Sequence, residues 1–156
     1  MEHYLRAAWH AIVRGGRLTL TPALKKILYV EDDLHVRTTA KLVLELIGQF
    51  TVRECSSGRE ALAAAGDFHP DLILLDVMMP DMDGLSTLEM LRGFPHMADT
   101  PALFVTGLTG ASDIARYVEA GAIGVIPKPL VPLRLASQLN TLWEQHSLAA
   151  AGVAAH

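Results

Sequence analysis

A chain of 156 residues, 51% of them apolar, has room for one domain of ordinary size with a modest surplus at its ends. Its net charge of −4 argues against a nucleic-acid-binding body, which needs a basic face, and its one cysteine, Cys55, excludes an internal disulfide and suits a reducing, cytoplasmic compartment. The 7 histidines lack metal-ligand spacing, and no apolar run is long enough to span a bilayer.

Residues 1–24 read as an N-terminal extension. Leu5, Ala8, Trp9 and Ile12 fall at i, i+3, i+4 and i+7, the spacing of a short amphipathic helix. A weakly ordered segment is the alternative. Arg6, Arg14, Arg17, Lys25 and Lys26 face a single acid, Glu2, in this stretch. His10 and Arg14 interrupt the apolar part, which argues against a signal peptide.

Strand and helix patterns then alternate. Lys26 to Glu31 reads as a first strand. Val36, Ala40, Val43, Leu44 and Ile47 repeat with helical period, and Gly48 is the expected stop. Phe50 to Glu54 is a second, short β-like run. Ser56 or Ser57 can cap a helix ending near Gly66. Asp71 to Asp76 is a third strand, a continuous apolar run with an acid at each end and turn chemistry after it. Gly84 to Leu91 is helical. Pro101 to Val105 is a fourth strand, Ser112 to Ala120 a helix, and Ile123 to Ile126 a fifth strand. Pro132 suits a first helical turn, and Leu135, Leu139 and Leu142 carry a last helix to about His146. The alanine-rich residues 149–156 read as a flexible tail.

Five βα units with short connections predict an α/β fold: a doubly wound, five-stranded parallel sheet with helices on both faces. The flavodoxin-like order 2-1-3-4-5 is expected, and it places a site outside the carboxyl ends of strands 1 and 3. Glu31, Asp32 and Asp33 end strand 1, and Asp76 ends strand 3. Thr106 ends strand 4, and Lys128 follows strand 5 between Pro127 and Pro129. Carboxylates of Glu31, Asp32 and Asp76 crowded at one edge repel, which is costly unless a cation joins them. Hard oxygen ligands of this number suit Mg²⁺ completed by a phosphoryl group. Lys128 adds a mobile point charge and Thr106 a hydroxyl donor. These parts fit phosphoryl transfer to the Asp76 carboxylate, which needs no base because it is already ionised. The chain has no GxxxxGK[ST] loop, so the donor is something other than a nucleotide held by this chain.

With these residues in place, the stretch from Lys25 to Ser147 resembles the receiver domain of two-component response regulators. The matching pieces are Ile27-Leu28-Tyr29-Val30-Glu31-Asp32-Asp33, the run from Asp71 through Asp76 and Met79-Pro80 to Gly84, Thr106, and Lys128-Pro129. The resemblance implies that Asp76 accepts the phosphoryl group and that Asp32 binds Mg²⁺ directly. It implies that Glu31 reaches the metal, often through water, and that the backbone carbonyl of Met78 is a further ligand. Thr106 resembles the switch hydroxyl and Lys128 the lysine of the phosphoryl site. Pro129 is expected to follow Lys128 through a cis bond. The implied donor is a phosphohistidine of a sensor histidine kinase or histidine phosphotransfer protein. The chain would then be no independent enzyme, but would catalyse its own phosphorylation and dephosphorylation. The expected type is a stand-alone receiver whose output passes to an unidentified protein target through contacts.

Three positions depart from the family's habit. Val125 stands where an aromatic residue is common, three before the lysine. Leu130 replaces a common Phe, and Gly107 a common Ala. Val125 keeps a second reading open, an interaction module in which phosphorylation is secondary or lost. Asp81 and Asp83 fit turn and helix-capping chemistry. An EF-hand loop counted from Asp81 would put Arg92 at its twelfth position, where a Glu is needed. A phosphatase of the haloacid-dehalogenase type would need its DxD at the strand end rather than in the loop after Pro80.

Overall fold

The structure is a computed structural model and describes residues 9–152. Its elements in chain order are β1 (Trp9–Arg14), β2 (Arg17–Pro22), β3 (Lys26–Val30), α1 (Leu34–Leu46), β4 (Thr51–Cys55) and α2 (Gly58–Ala64). There follow β5 (Leu72–Asp76), α3 (Gly84–Leu91), β6 (Ala102–Thr106), α4 (Ala111–Glu119), β7 (Ala122–Pro127) and α5 (Pro132–Ala150), with one 3₁₀ turn at Pro95–Met97. Strands β3 to β7 form one parallel sheet in the order β4-β3-β5-β6-β7, which is the expected 2-1-3-4-5 of a flavodoxin-like fold.

The sheet is apolar on both faces because helices cover both. Alternation divides each strand between them. Ile27, Tyr29, Leu72, Leu74, Leu103 and Val105 share a cluster with Ala40 and Leu44 of α1 and Leu135 and Leu139 of α5. Leu28, Val30, Ile73, Leu75, Ala102 and Phe104 share the other with Ala61 of α2, Leu88 of α3 and Tyr117 of α4. The same parity carries Glu31 and Asp76 toward the first layer and Thr106 toward the second.

Side-chain caps fix where α1, α2 and α3 start. The Asp33 carboxylate accepts from Val36 N at 3.0 Å, Ser57 Oγ from Glu60 N at 3.1 Å, and the Asp83 carboxylate from Ser86 N at 2.8 Å. Asp81 lies in the turn before α3 at φ 66°. Thus Asp81 and Asp83 have the turn and capping roles expected of them. Beyond α1 it is Gln49, not Gly48, that takes the left-handed conformation, at φ 57°.

The extension differs from expectation. Trp9 and Ile12 lie in a strand, not a helix, while Leu5 and Ala8 lie outside the described residues. Strands β1 and β2 form an antiparallel hairpin turned by Gly15 and Gly16 at φ 56° and 76°, values that cost glycine little. Trp9, Ala11 and Val13 oppose Pro22, Leu20 and Leu18, so one hairpin face is wholly apolar. The hairpin is tied to the domain by Trp143 of α5, whose indole N–H donates to Pro22 O at 2.8 Å, and by the buried Thr21. The last helix also runs past His146 to Ala150, because Leu148 is buried. Ala149 and Ala150 are therefore helical rather than tail, and residues 153–156 lie outside the described residues. Among the described residues no helix is long and apolar enough to cross a membrane.

One glycine shapes the functional edge. A Cβ on Gly84 would run into the carbonyl oxygen of Asp76 and come within 3.0 Å of Val77 Cα, and Gly84 N already donates to Val77 O at 2.9 Å. The loop after β5 closes back on the strand end only without a side chain there. Gly84→Ala is expected to destabilise the fold by about 2 kcal/mol or more, since backbone must move to relieve the clash. Urea unfolding checks this, and unchanged stability would mean the loop relaxes freely.

Candidate functional site

Glu31 follows directly on β3, Asp76 ends β5, and the two strands are hydrogen-bonded neighbours, so parallel pairing alone brings the carboxylates together. Glu31, Asp32 and Asp76 each offer an oxygen, and these oxygens lie within 4.8 Å of one another. Glu31 and Asp76 are 1% exposed and Asp32 is exposed, so the cluster has two buried members and an open rim.

The buried pair is held from several sides. Asp76 Oδ1 meets Lys128 Nζ at 2.8 Å and accepts from Met78 N at 3.2 Å. Glu31 Oε1 accepts from Asp33 N at 3.1 Å. Arg37 of α1 donates to the backbone carbonyl of Glu31 at 2.8 Å and pairs with Glu54 at 3.7 Å, bracing the end of β3. Lys128 is aimed by its backbone, whose N–H donates to Thr106 O at 2.9 Å, and a cis bond joins it to Pro129 as expected. Two oxygens, Glu31 Oε2 and Asp76 Oδ2, are buried without a hydrogen-bond partner. Orphaned carboxylate oxygens are costly in a protein interior. Three hard, anionic donors with two of them unsatisfied fit a divalent cation such as Mg²⁺.

Electrostatics agree with the geometry. Burial, then the charge of Asp76, pushes Glu31 up to about 7. Burial also raises Asp76, although the hydrogen bond and charge of Lys128 oppose it. For Lys128, burial pulls the ammonium down, but the hydrogen bond and charge of Asp76, with Glu31 and Asp32, outweigh it and the pKa rises. These carboxylates are thus short of positive charge.

Above the cluster a cavity of about 820 Å³ runs between α1 and the start of α5. Its floor is Glu31, Asp32, Asp76 and Lys128, and Val36, Leu130 and Leu135 line its apolar wall. Met78 is on the rim and 62% exposed.

Thr106 ends β6 next to this edge, fully buried, with its side chain on the opposite layer. Its Oγ1 accepts from Leu108 N at 2.9 Å and lies 3.3 Å from the Tyr117 hydroxyl. Strand order therefore brings Glu31, Asp32, Asp76, Met78 and Lys128 to one site and leaves Thr106 beside it. Asp33 does not join the cluster but caps α1. Sequence reasoning passed over Arg37 and Tyr117. Arg37 was legible as a basic residue one turn beyond the Asp33 cap; Tyr117 is a lone aromatic in a polar helix, and nothing in that local pattern marks a partner for its hydroxyl.

The family model for the response regulator receiver domain matches residues 27–140. A probable transcriptional regulator, ycf27, of Cyanophora paradoxa is 35% identical over 118 residues, 76% of this chain and 48% of that protein. Response regulator PleD of Caulobacter vibrioides is 36% identical over 119 residues, 75% of this chain and 26% of that protein. The chain thus spans about half or less of the length of these curated relatives. Among solved structures, the chemotaxis protein CheY4 of Vibrio cholerae superposes with a TM-score of 0.71 at 32% identity, covering 77% of this chain and 99% of CheY4. The signal receiver domain of a signal transduction histidine kinase from Syntrophus aciditrophicus gives 0.66 at 35% identity, over 78% and 91% of the two chains.

Glu31→Gln keeps an acceptor for Asp33 N–H and removes a penalised charge. Folding raises this acid's pKa, so its ionised form is disfavoured in the fold. The penalty is absent below the ordinary value of 4.5, grows as pH rises, and is complete above about 7. In metal-free buffer the variant is expected to match the parent at pH 4 and to exceed it by about 1–2 kcal/mol at pH 8. Urea unfolding at the two pH values checks this; a gain at pH 4 as large as at pH 8 would contradict it.

Proposed function

This chain belongs to the response regulator receiver family, and we propose that it takes a phosphoryl group onto Asp76 in a Mg²⁺-dependent reaction. The donor is a phosphohistidine of a sensor histidine kinase or a histidine phosphotransfer protein, and the signal leaves through protein–protein contacts. The observation that carries this reading is the buried Asp76 at a strand end, with Lys128 Nζ at 2.8 Å and two further carboxylates within 4.8 Å.

In the reaction a carboxylate oxygen of Asp76 attacks phosphorus as the phosphorus–nitrogen bond of the phosphohistidine breaks. The electron pair leaves with the ring nitrogen, and an acyl phosphate remains on Asp76. No proton has to be removed from the nucleophile. The site's task is then positioning and charge. The Met78 N–H and Lys128 hold Oδ1 of Asp76 at the floor of an open cavity. Lys128 is a single charge on a flexible stem, able to follow a phosphoryl oxygen as it arrives. Mg²⁺ held by Asp32, Asp76 and the Met78 carbonyl, with Glu31 reaching it through water, would supply positive charge for the phosphoryl oxygens. The apolar wall of Val36, Leu130 and Leu135 gives a donor protein a surface beside the nucleophile. The Thr106 hydroxyl is a further donor at the sheet edge, and its turn toward the phosphoryl group makes phosphorylation a change of shape.

Asp76→Asn removes the nucleophile with little change of shape. Incubated with acetyl phosphate and Mg²⁺, the parent is expected to gain one phosphoryl mass by intact mass spectrometry and the variant none. A variant that gains the mass at the parent's rate would sink the assignment of Asp76.

Asp32→Ala is expected to weaken Mg²⁺ binding at least tenfold. Asp33→Ala, which loses a helix cap, should change it by less than twofold while costing about 1 kcal/mol of stability. Amide shifts on Mg²⁺ titration separate the two, and equal losses of affinity would mean the metal ligand is misplaced.

A further inference from the structure

Tyr117 is the least expected residue near the site. It sits on α4, is 1% exposed, and packs against Phe104 of β6 with tilted rings whose centroids are 5.3 Å apart. Phe104 pairs in register with Val125 of β7, and Val125 packs on the same cluster. Val125 is short and β-branched, so it cannot swing between inner and outer positions. The aromatic ring in this cluster beside Thr106 thus comes from the helix rather than from the outer strand.

The hydrogen bonds have a direction that the donor inventory fixes. A phenol has one proton, and that of Tyr117 goes to Leu108 O at 3.0 Å. Thr106 Oγ1 already accepts from Leu108 N at 2.9 Å. With the phenol proton on the shorter contact to Leu108 O, Thr106 is the donor across the 3.3 Å contact. Its single proton is spent on Tyr117, away from Asp76. A hydroxyl with one proton cannot donate to the phenol and to a phosphoryl oxygen at once.

We propose that Tyr117 is a positioning residue that holds the Thr106 hydroxyl in the unphosphorylated state and is released when that hydroxyl turns to the phosphoryl group. The release breaks the Thr106–Tyr117 hydrogen bond and disturbs both bonds to Leu108. It frees the loop Gly107 to Gly110 and the start of α4, so the switch reaches the surface through the helix that carries the phenol. This inference rests on the phosphoryl-accepting reading of Asp76.

The test uses the full chain with Mg²⁺ and beryllofluoride as the phosphoryl probe. Tyr117→Phe keeps the ring packed on Phe104 and removes the acceptor. Freed from the phenol, Thr106 should favour the probe, and beryllofluoride is expected to bind about fivefold tighter, the equivalent of one ordinary hydrogen bond. In a Thr106→Ala background the same substitution should change affinity by less than twofold. A second measurement does not depend on that variant: the Tyr117 ring resonances should shift on beryllofluoride binding in the parent and stay in place in Thr106→Ala. Unchanged or weaker binding by Tyr117→Phe overturns the inference, as does an equal gain in the Thr106→Ala background or a still Tyr117 ring in the parent. Failure of the parent itself to bind beryllofluoride overturns the reading of Asp76, and this inference with it.

Discussion

Everything at the functional edge depends on negative charge that cannot disperse. Two adjacent parallel strands end in buried acids, a third acid lies at the rim, and the neighbouring cation is Lys128. Parallel pairing fixes the spacing, and an apolar sheet on both faces keeps water from screening it. The rest of the edge compensates: Lys128 is aimed by its bond to Thr106 O, Met78 N–H caps Asp76, and Arg37 steadies the end of β3. Two carboxylate oxygens still lack partners. Such a site gains from any cation or electrophile that can use those oxygens, and a divalent ion with a phosphoryl group supplies both.

The alternation of side chains gives that charge two outlets. Glu31 and Asp76 fall with the α1 and α5 layer, where the cavity opens. Thr106 falls with the layer of Phe104 and Tyr117. The acids and the Thr106 hydroxyl thus end on opposite faces of one sheet. The separation follows from a period of two along each strand, not from any added element.

The fold and the acid cluster were legible in the sequence because both are local consequences of pattern. Apolar runs marked the strands, and the acids sat at their last residues, where chain order alone brings them together. What escaped was set by tertiary partners. Trp9 and Ile12 suit a helix by spacing, yet Gly15-Gly16 between alternating residues is a hairpin signal, and the glycines' positive φ values decided the matter. The last turn of α5 was missed because Leu148 is buried by packing that no local period announces. Tyr117 was missed because a buried phenol looks like any core aromatic until its hydroxyl is seen to meet Thr106.

The hairpin's attachment has an optical consequence. The chain has 2 tryptophans, and both converge on Pro22. Trp9 opposes it across the hairpin, and the Trp143 indole donates to its carbonyl. Neither lines the acid cavity. Intrinsic fluorescence therefore reports chiefly on the seam where the N-terminal ribbon lies on α5. An emission change on adding a ligand reads as motion at that seam, transmitted from the far edge of the sheet, and its absence says nothing against occupancy of the acid site.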